Sequence, residues 1–490
     1  MKNFACMFAV AVFMITSRVE AQSFAIEETT IAGVQEALQG KATTCRQIVQ
    51  AYLDRIAAYD RKGPALNAIL TLNPKALAEA DRLDAERAAG AAMGPLFCAP
   101  LVLKDNYNTA DLPTTGGSAA LEGMQPPADA FVVARLRKAG AIILGKSNMH
   151  EFALAGTTVS SLGGQTLDAY DLTRTPGGSS GGTGVAVAAN LALAGTGSDT
   201  VNSIRSPASA NALVGIRPTK GLLSRSGIMP VSETQDAIGP IARNVADAAR
   251  LLEVMAGYDP NDPATAWSIG NTPAGYVQFL KAGGLRGARI GVLKAMYGNA
   301  SEHQDVNAVM AAAIAALKNA GAEVVDVDAP ALDANKLGPE NDVQKYEFKT
   351  LINAYLAQCP GKDTFRDHRI RQGSQAFAGE IFVERGSVHQ RHGGAGLQGA
   401  AVAKPAYAAG ADVGFRRARA GCDRLPAAAT AGRAVERTQS GRPQRHSCFR
   451  HRISGHHRAG RVLAADRKCP AGRAGRNGYS GKTLERGTFD

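Results

Sequence analysis

The chain has 490 residues, of which 45% are hydrophobic and 20% charged, so it is long enough to bury a large core. Its net charge of +12 arises in residues 381–490, which hold 21 Lys+Arg and 7 Asp+Glu, against 34 and 36 in residues 1–380. The basic segment lacks interleaved aromatic residues and a helical pattern, so we exclude nucleic acid as the main partner.

The first 21 residues have the pattern of a secretory signal peptide. Lys2 supplies the positive charge, an apolar run covers residues 4–16, and Val19-Glu20-Ala21 is a small-x-small cleavage site. The mature chain is therefore expected to begin near Gln22 and to be exported, to the periplasm or as a secreted protein. No later segment approaches the ~18 uninterrupted apolar residues of a membrane span, so no membrane anchor is predicted.

Helical and strand patterns alternate along the rest of the chain up to about residue 330. The predicted elements are, in chain order, helices at 43–60 and 75–89, a strand at 98–103, a helix at 128–139, a strand at 141–145, helices at 183–194 and 243–256, a strand at 288–293, a helix at 305–320 and a strand at 322–327. This alternation predicts an α/β protein whose sheet is covered on both faces. The strand at 98–103 would deliver Lys104 to its end.

Seven cysteines are too few for a disulfide scaffold in a chain of this length. Cys45, Cys98 and Cys359 lie between the predicted signal peptide and the basic segment, and two of them can pair in an oxidising compartment. The sequence does not decide which two. None lies in a CxxC or His-spaced metal pattern, so neither a metal nor another cofactor is expected.

The chemistry is concentrated in two glycine-rich stretches, TPGGSSGGT at 175–183 and GSDTVNSIR at 197–205. Phosphate binding is disfavoured because the Gly-Lys-Ser/Thr ending of a Walker loop is absent. Serine hydrolysis needs a base, but the G-x-S-x-G elbow is absent and the histidines have no triad-like order. His150 is better explained as a structural residue. The remaining route is a Ser–Lys arrangement, in which burial lowers the pKa of a lysine.

Lys104 fits this role because it ends a buried strand. Lys146 and Lys220 are the competing lysines, and structural roles explain them better. Around them, seven motifs resemble the amidase signature family between residues 26 and 380, most strongly at 98–256. They are LVLKDN, LPTTGGS, GKSNMHEFA, TPGGSSGGTGVAVA, DTVNSIRSPAS, LVGIRPTKGLLS and QDAIGPIARNVAD.

The resemblance implies a single large domain over residues 22–380, with a central mixed β-sheet covered by helices on both faces. It also implies a cofactor-free amidase that hydrolyses linear, non-peptide amide bonds of a small-molecule or peptide substrate. By match to the motifs, Ser203 would be the nucleophile, Ser179, after a cis peptide bond, the proton relay, and Lys104 the base. Backbone N–H groups of Thr200, Val201 and Asn202, together with that of the nucleophile, would form the oxyanion hole.

One departure from the family pattern lies beside the nucleophile. Many relatives have Gly-Gly where this chain has Val201-Asn202. Backbone donors need no particular side chain, so the oxyanion hole can persist, but the acyl-group preference is open. Asp199, Arg205 and Asp236 are interpreted as supports of this loop, and Ser180 as a hydrogen-bonding neighbour.

After about residue 380 the family motifs stop, and Arg, Gly and Ala dominate residues 381–490. With suitable codons, a one-base shift converts RISGHHRAG at 452–460 into GFPAITVPA, which resembles the family's C-terminal core. We therefore interpret this basic segment as a frameshifted replacement of the C-terminal part of the domain. A disordered basic tail is the plainer alternative.

Two alternatives to an active amidase follow. A damaged C-terminus would make the chain an inactive or unstable remnant of an amidase gene. A protein resembling one subunit of a tRNA-dependent amidotransferase would need the other subunits as partners and a cytoplasmic address, which the predicted signal peptide disfavours. A polyanion-binding role of the basic segment ranks third. The amide substrate and the oligomeric state stay open.

Overall fold

The computed structural model describes residues 24–332 and 334–359. The predicted signal peptide at 1–21 and the basic segment at 381–490 lie outside the described residues, and so does the proposed shift of reading frame.

Ten strands form in the described part of the chain: β1 Ile69–Leu72, β2 Pro100–Lys104, β3 Ile142–Ser147, β4 Val159–Ser160, β5 Gly164–Gln165, β6 Ala194–Asp199, β7 Val214–Gly215, β8 Ala237–Ala242, β9 Arg289–Leu293 and β10 Glu323–Val327. The α-helices there are α1 Ile31–Gln39, α2 Cys45–Tyr59, α3 Ala76–Ala88, α4 Phe131–Lys138, α5 Gly181–Ala188, α6 Arg205–Ala210, α7 Val245–Met255, α8 Gln304–Asn319, α9 Ala334–Asn341 and α10 Gln344–Leu356.

Six strands form the central sheet, in the order β1-β3-β2-β6-β8-β7. Strand β2 runs parallel to both β3 and β6, whereas β1 is antiparallel to β3, and β8 is antiparallel to β6 and β7. The sheet is therefore mixed and flanked by helices, which confirms the predicted fold class. Because β2, β3 and β6 are parallel, their carboxyl ends deliver Lys104, Ser147 and Asp199 to the same edge.

Local signals explain several helix boundaries. Thr44 closes a capping box with Gln47, so α2 begins where the threonine cap predicts. Asn244 caps α7 by accepting a hydrogen bond from the N–H of Asp247. Helix α5 ends at Ala188, short of the predicted 194, because the chain must turn there to enter β6.

The apolar core consists of two clusters. The larger one fills the space between the central sheet and its helices, with β2, β3 and the apolar faces of α1, α2, α4 and α7 as its main parts. The smaller one joins Met149, Phe152 and Met229 to Phe348 and Ile352 of α10. Phe152 and Phe348 meet edge to face, with ring centroids 6.1 Å apart. The smaller cluster thus attaches α10 to the loops that follow the sheet.

The predicted strands at 288–293 and 322–327 form as β9 and β10, but they do not join the central sheet. They pair with each other in parallel as a separate two-stranded sheet. Most of their side chains are exposed or half-buried, and α8 between them buries no residue. The expectation of buried strands is therefore wrong here, because only Val292 of the two strands is buried.

A disulfide joins Cys45 at the start of α2 to Cys98 just before β2, with their Cα atoms 5.6 Å apart. This pairing answers the question that the sequence left open. Cys359 is buried and is the free cysteine among the described residues. No helix within residues 24–332 and 334–359 combines the length and the apolar character needed to cross a bilayer.

Candidate active site

The site begins with the fully buried strand β2, whose last residue is Lys104. Its neighbours β3 and β6 satisfy the backbone of β2 on both sides, so the strand can lie deep inside the fold. The Lys104 N–H donates to Thr196 Oγ1 at 3.2 Å. The side chain therefore starts from a rigid position and ends in a region closed to solvent.

Three oxygen atoms surround the Lys104 amine. Nζ lies 2.6 Å from Ser179 Oγ, 2.8 Å from Ser198 Oγ and 3.3 Å from the Ser198 carbonyl oxygen. Burial lowers the pKa of Lys104 to about 7, although the carboxylates of Asp199 and Asp236 oppose the shift. Near neutral pH the amine is thus poised between its charged and neutral forms, and the neutral form can accept a proton from Ser179.

Ser179 lies in a tight loop that precedes α5. The Gly178–Ser179 peptide bond is cis, as the family resemblance implies. Gly177 has a φ of 71°, which favours glycine, and a Cβ on Gly178 would lie 2.7 Å from Thr158 Oγ1. The Ser179 carbonyl accepts a hydrogen bond from the His150 N–H at 3.0 Å. These glycines explain how the chain brings Ser179 against the lysine.

Ser203 is delivered by the loop between β6 and α6. The Ser180 N–H donates to the Ser203 carbonyl at 3.3 Å, which holds this loop beside the Ser179 loop. Ser203 is buried, and within residues 24–332 and 334–359 the structure records no hydrogen bond of its Oγ. The structure therefore brings Lys104 and Ser179 into direct contact and places Ser203 next to them without a Ser179–Ser203 hydrogen bond.

The predicted oxyanion residues form the turn before Ser203. Thr200 Oγ1 donates to Asp236 Oδ1 at 2.6 Å, and the Arg205 guanidinium donates to the Val201 carbonyl. The Asn202 carbonyl accepts from the Ser206 N–H at 2.7 Å. In the described part of the chain, no acceptor is recorded for the backbone N–H groups of 200–203. The Thr200 side chain and the carbonyls of Val201, Asn202 and Ser203 are thus held by protein partners, whereas the N–H groups of the turn are left as candidate donors to a ligand.

Asp199 organises the base of this turn. Its carboxylate accepts from the Ile204 N–H at 3.1 Å, from Arg205 Nε at 3.2 Å and from Arg217 Nη1 at 2.8 Å. Burial disfavours the charged carboxylate, but the two guanidiniums outweigh it and hold the pKa of Asp199 below its usual value. Asp236 accepts from the Val231 and Ser232 N–H groups as well as from the turn. These contacts agree with the predicted supporting roles of both aspartates.

The competing residues have other partners. Lys146 is buried, forms an ion pair with Asp105 at 3.4 Å and donates to the Tyr107 carbonyl at 2.7 Å. Lys220 is exposed and donates to backbone carbonyls. Burial, with a smaller effect of Lys104, lowers the pKa of His150 to about 4, and its Nδ1 accepts from the Val159 N–H. Each arrangement fits the structural role expected from the sequence.

Two residues beside the lysine were missed by the sequence interpretation, namely Ser198 and Asn106. Asn106 Nδ2 donates to Ser198 Oγ at 2.9 Å. The signal in the sequence was the alternation of Thr196 and Ser198, which puts two hydroxyl side chains on one face of β6. Arg217, the second guanidinium on Asp199, was also missed.

An open cavity of about 180 Å³ adjoins this set of residues. Ser198, Thr200 and Asp236 contribute its polar side, and Ile228 and Met229 its apolar side. Such a mixed lining suits an organic group with a polar end. Among the described residues, no cluster of three or more His, Cys, Asp or Glu side chains is arranged to hold a metal ion.

Known proteins are similar in sequence to this chain. A glutamyl-tRNA(Gln) amidotransferase subunit of Thermobifida fusca (strain YX) is 42% identical over 299 residues, which cover 61% of this chain and 59% of that protein. The chain spans about three fifths of the length of the amidotransferase subunits that it matches.

Solved structures give the same relationship. The native peptide amidase from Stenotrophomonas maltophilia is 41% identical with a TM-score of 0.65, over 72% of each chain. A peptide amidase in complex with the competitive inhibitor chymostatin is 41% identical with a TM-score of 0.66, over 73% of each chain. The family model described as Amidase matches residues 47–365. This chain belongs to the amidase signature family.

Proposed function

We propose that this chain hydrolyses amide bonds, with Ser203 as nucleophile, Ser179 as proton relay and Lys104 as base. The observation that carries the proposal is the 2.6 Å contact between Lys104 Nζ and Ser179 Oγ. Because burial lowers the pKa of Lys104 to about 7, the amine can act as a base at neutral pH. An ordinary exposed lysine would be protonated there.

In the acylation step, neutral Lys104 accepts the Ser179 hydroxyl proton while Ser179 accepts the proton of Ser203. Ser203 Oγ attacks the amide carbonyl carbon, and the negative charge develops on the carbonyl oxygen. The open N–H donors at 200–203 are suited to hold that charge. The relay contact between the two serines would form on substrate binding, as catalytic hydrogen bonds commonly tighten only in the complex.

The proton then returns along the same path. The Lys104 ammonium gives it to Ser179, and Ser179 gives its own proton to the departing nitrogen as the C–N bond breaks. This leaves an acyl ester on Ser203 and a free amine or ammonia. Water, deprotonated through the same relay, attacks the ester, and the carboxylic acid leaves with Ser203 regenerated.

For the substrate, we propose an amide of a peptide. The support is the 41% identity to peptide amidases over nearly three quarters of each chain. Val201 and Asn202 directly precede the nucleophile in the chain. Their side chains would restrict the size of the group accepted on the acyl side.

A second candidate is a component of an amidotransferase, which the 42% identity to the Thermobifida fusca protein favours. The Cys45–Cys98 disulfide favours the hydrolase instead, because disulfides persist in oxidising compartments outside the cytoplasm. We accordingly propose an exported enzyme. Alkylation of the protein, isolated from its host without reductant, tests this proposal. Cys45 and Cys98 are expected to resist alkylation because they form the disulfide, and alkylation of both would contradict export.

A third candidate is the inactive remnant, and the exposed apolar positions of β9 and β10 favour it. Sequencing the gene from the codons near 375 onward separates it from the enzyme. If a single base proves to be missing or added, the corrected reading frame would restore the family's C-terminal core and support the enzyme. An intact frame together with an inactive, folded protein would support the remnant.

Labelling with a fluorophosphonate probe tests the proposed mechanism without knowledge of the substrate. The Ser203 oxygen displaces fluoride from phosphorus while the hydroxyl proton leaves through the relay, and the peptide carrying Ser203 gains the mass of the probe minus HF. We expect labelling that rises with pH through about pH 7, where Lys104 loses its proton, and no labelling in Ser203→Ala. Release of ammonia from a peptide amide, inhibited by chymostatin, would support the substrate class. Folded protein whose Ser203 is never labelled would overturn the proposal.

A further inference from the structure

We propose that Ser198 is a positioning residue, which holds the Lys104 amine so that its lone pair faces Ser179. The inference rests on the proposed function, since it concerns the same lysine as base. It names a residue outside the three proposed to move the proton.

Ser198 binds Lys104 with two atoms. Lys104 Nζ lies 2.8 Å from Ser198 Oγ and 3.3 Å from the Ser198 carbonyl oxygen. Ser198 O also accepts from Ser180 Oγ at 3.3 Å. Besides Ser179 Oγ, the amine contacts two acceptor atoms, and both belong to Ser198. Ser198 lies on the rigid central strand β6.

The two acceptors of Ser198 match the number of N–H donors on a neutral Lys104 amine. A neutral amine has two N–H donors and one lone pair. When the two donors are directed to Ser198 O and Ser198 Oγ, the lone pair is left for the third neighbour, Ser179 Oγ, at 2.6 Å. That orientation is the one in which Lys104 can accept the Ser179 proton. Without Ser198 Oγ, one N–H would turn toward Ser179, and the lone pair would point away from it.

The position of Ser198 Oγ is itself determined. Asn106 Nδ2 donates to it at 2.9 Å, and Asn106 is only two residues from Lys104 along the chain. With Lys104 and Asn106 both donating, the two lone pairs of Ser198 Oγ are occupied. Ser198 also lines the cavity of about 180 Å³.

The ionisable groups around Lys104 come from three segments. They are Asp199 on β6, Asp236 ahead of β8 and His150 after β3. None of them is changed by a substitution at Ser198. An acceptor hydroxyl stabilises the ammonium form, so its removal lowers the pKa of Lys104 further.

The experiment compares wild type, Ser198→Ala, Ser198→Thr and Ser147→Ala in the full chain, by the rate of fluorophosphonate labelling between pH 5 and pH 9. Ser147 is a matched control, because it is buried at the end of β3, opposite Lys104 in the sheet, and bonds to Leu103 O and Thr183 Oγ1 instead of the amine. Thermal unfolding of each variant checks that it is folded.

For Ser198→Ala we expect the labelling rate at its high-pH plateau to fall about 10²-fold, as for a misplaced catalytic group. We also expect the acid limb of the profile, the pH range over which the rate rises as Lys104 loses its proton, to move to lower pH. Ser198→Thr keeps the hydroxyl and is expected to stay within about threefold of wild type with an unmoved acid limb. Ser147→Ala can lose stability, but its acid limb should coincide with that of wild type.

An unmoved acid limb in folded Ser198→Ala, or losses shared equally by Ser198→Ala and Ser147→Ala, would overturn the positioning role. In that case wild-type Ser203 would still be labelled, and the proposed function would stand. Absence of labelling in wild type would instead reject the proposed function itself, so the two failures are distinguishable.

Discussion

Two regions of this chain have the same strand–helix–strand pattern and opposite burial. In β2–α4–β3, every residue of both strands is buried, and α4 buries Val132, Val133 and Leu136. In β9–α8–β10, the helix buries none, and Val325 and Val327 are 41% and 39% exposed. Both strand pairs are parallel. The sequence pattern thus determines the strand–helix–strand unit, whereas its burial depends on neighbouring strands. Strands β1 and β6 flank the first unit, but not the second.

The catalytic proposal depends on this difference, because burial at the end of β2 is what lowers the pKa of Lys104. We expect Lys104→Met to reduce the fluorophosphonate labelling rate of Ser203 by at least about 10³-fold, since a general base contributes up to about 10⁴-fold. Lys318→Met, on the exposed α8, should leave labelling unchanged. Retained labelling in folded Lys104→Met would show that another group serves as the base.

The next comparison concerns ion pairs. Asp199→Asn removes the buried carboxylate that joins Arg205, Arg217 and the turn before Ser203. We expect a loss of about 3 kcal/mol of unfolding free energy, because two guanidiniums lose their ion pair with this carboxylate, and reduced labelling of the serine. The matched change in the other region is Asp326→Asn, whose pair with Lys294 at 3.6 Å is exposed and should cost less than about 0.5 kcal/mol. Equal losses in urea unfolding would contradict the contrast.

The disulfide joins α2 to the start of the buried region, across a sequence separation of 53 residues. We expect Cys45→Ala with Cys98→Ala to cost about 2 kcal/mol, the lower end of the usual range. The reason is that Asp84 also holds the start of α2, by accepting from the Cys45 and Arg46 N–H groups. Reductant should lower the Tm of the wild type to that of the double variant and leave the variant itself unchanged. A wild-type Tm insensitive to reductant would argue against the bond.

The smallest expected effect comes from the same valine-to-threonine change made once in buried β2 and once in exposed β10. Val102→Thr places a hydroxyl in the closed core around β2 and should cost about 1–3 kcal/mol. Val325→Thr makes the same chemical change on half-exposed β10 and should stay within about 0.5 kcal/mol. If Val325→Thr costs as much as Val102→Thr in urea unfolding, β10 is covered by part of the chain or by a partner, and the contrast fails.

Much of this could be predicted from the sequence. Apolar runs and caps located β2, β3, α2 and α7 within a few residues. Other strands were missed, because β6 is AGTGSD and has none of the branched apolar residues that mark a strand. Its sheet position comes from small residues that allow close packing: a Cβ on Gly195 would lie 2.7 Å from the Val102 carbonyl.

For the site, motif order and spacing brought Lys104, Ser179 and Ser203 into one hypothesis without the fold. Motif spacing could not reveal that Ser198 contacts the same amine, because the face of the sheet on which a side chain lies is known only once its strand and register are known. The supporting arginines show the same limit. Arg205 lies near its partner Asp199 in sequence and was predicted, whereas Arg217 reaches it from 18 residues away and was missed.

The sequence by itself determined the family, through motif order and spacing, and the α/β class, through the alternation of helical and strand patterns. The mixed sheet followed from the family resemblance. Only the tertiary structure decided that Cys45 pairs with Cys98, that Lys104 is fully buried and that β9 and β10 form a sheet separate from the central one. The physical reason is common to all three. Burial, desolvation and pairing depend on which distant segments pack together, and that is a property of the folded chain rather than of any stretch of it.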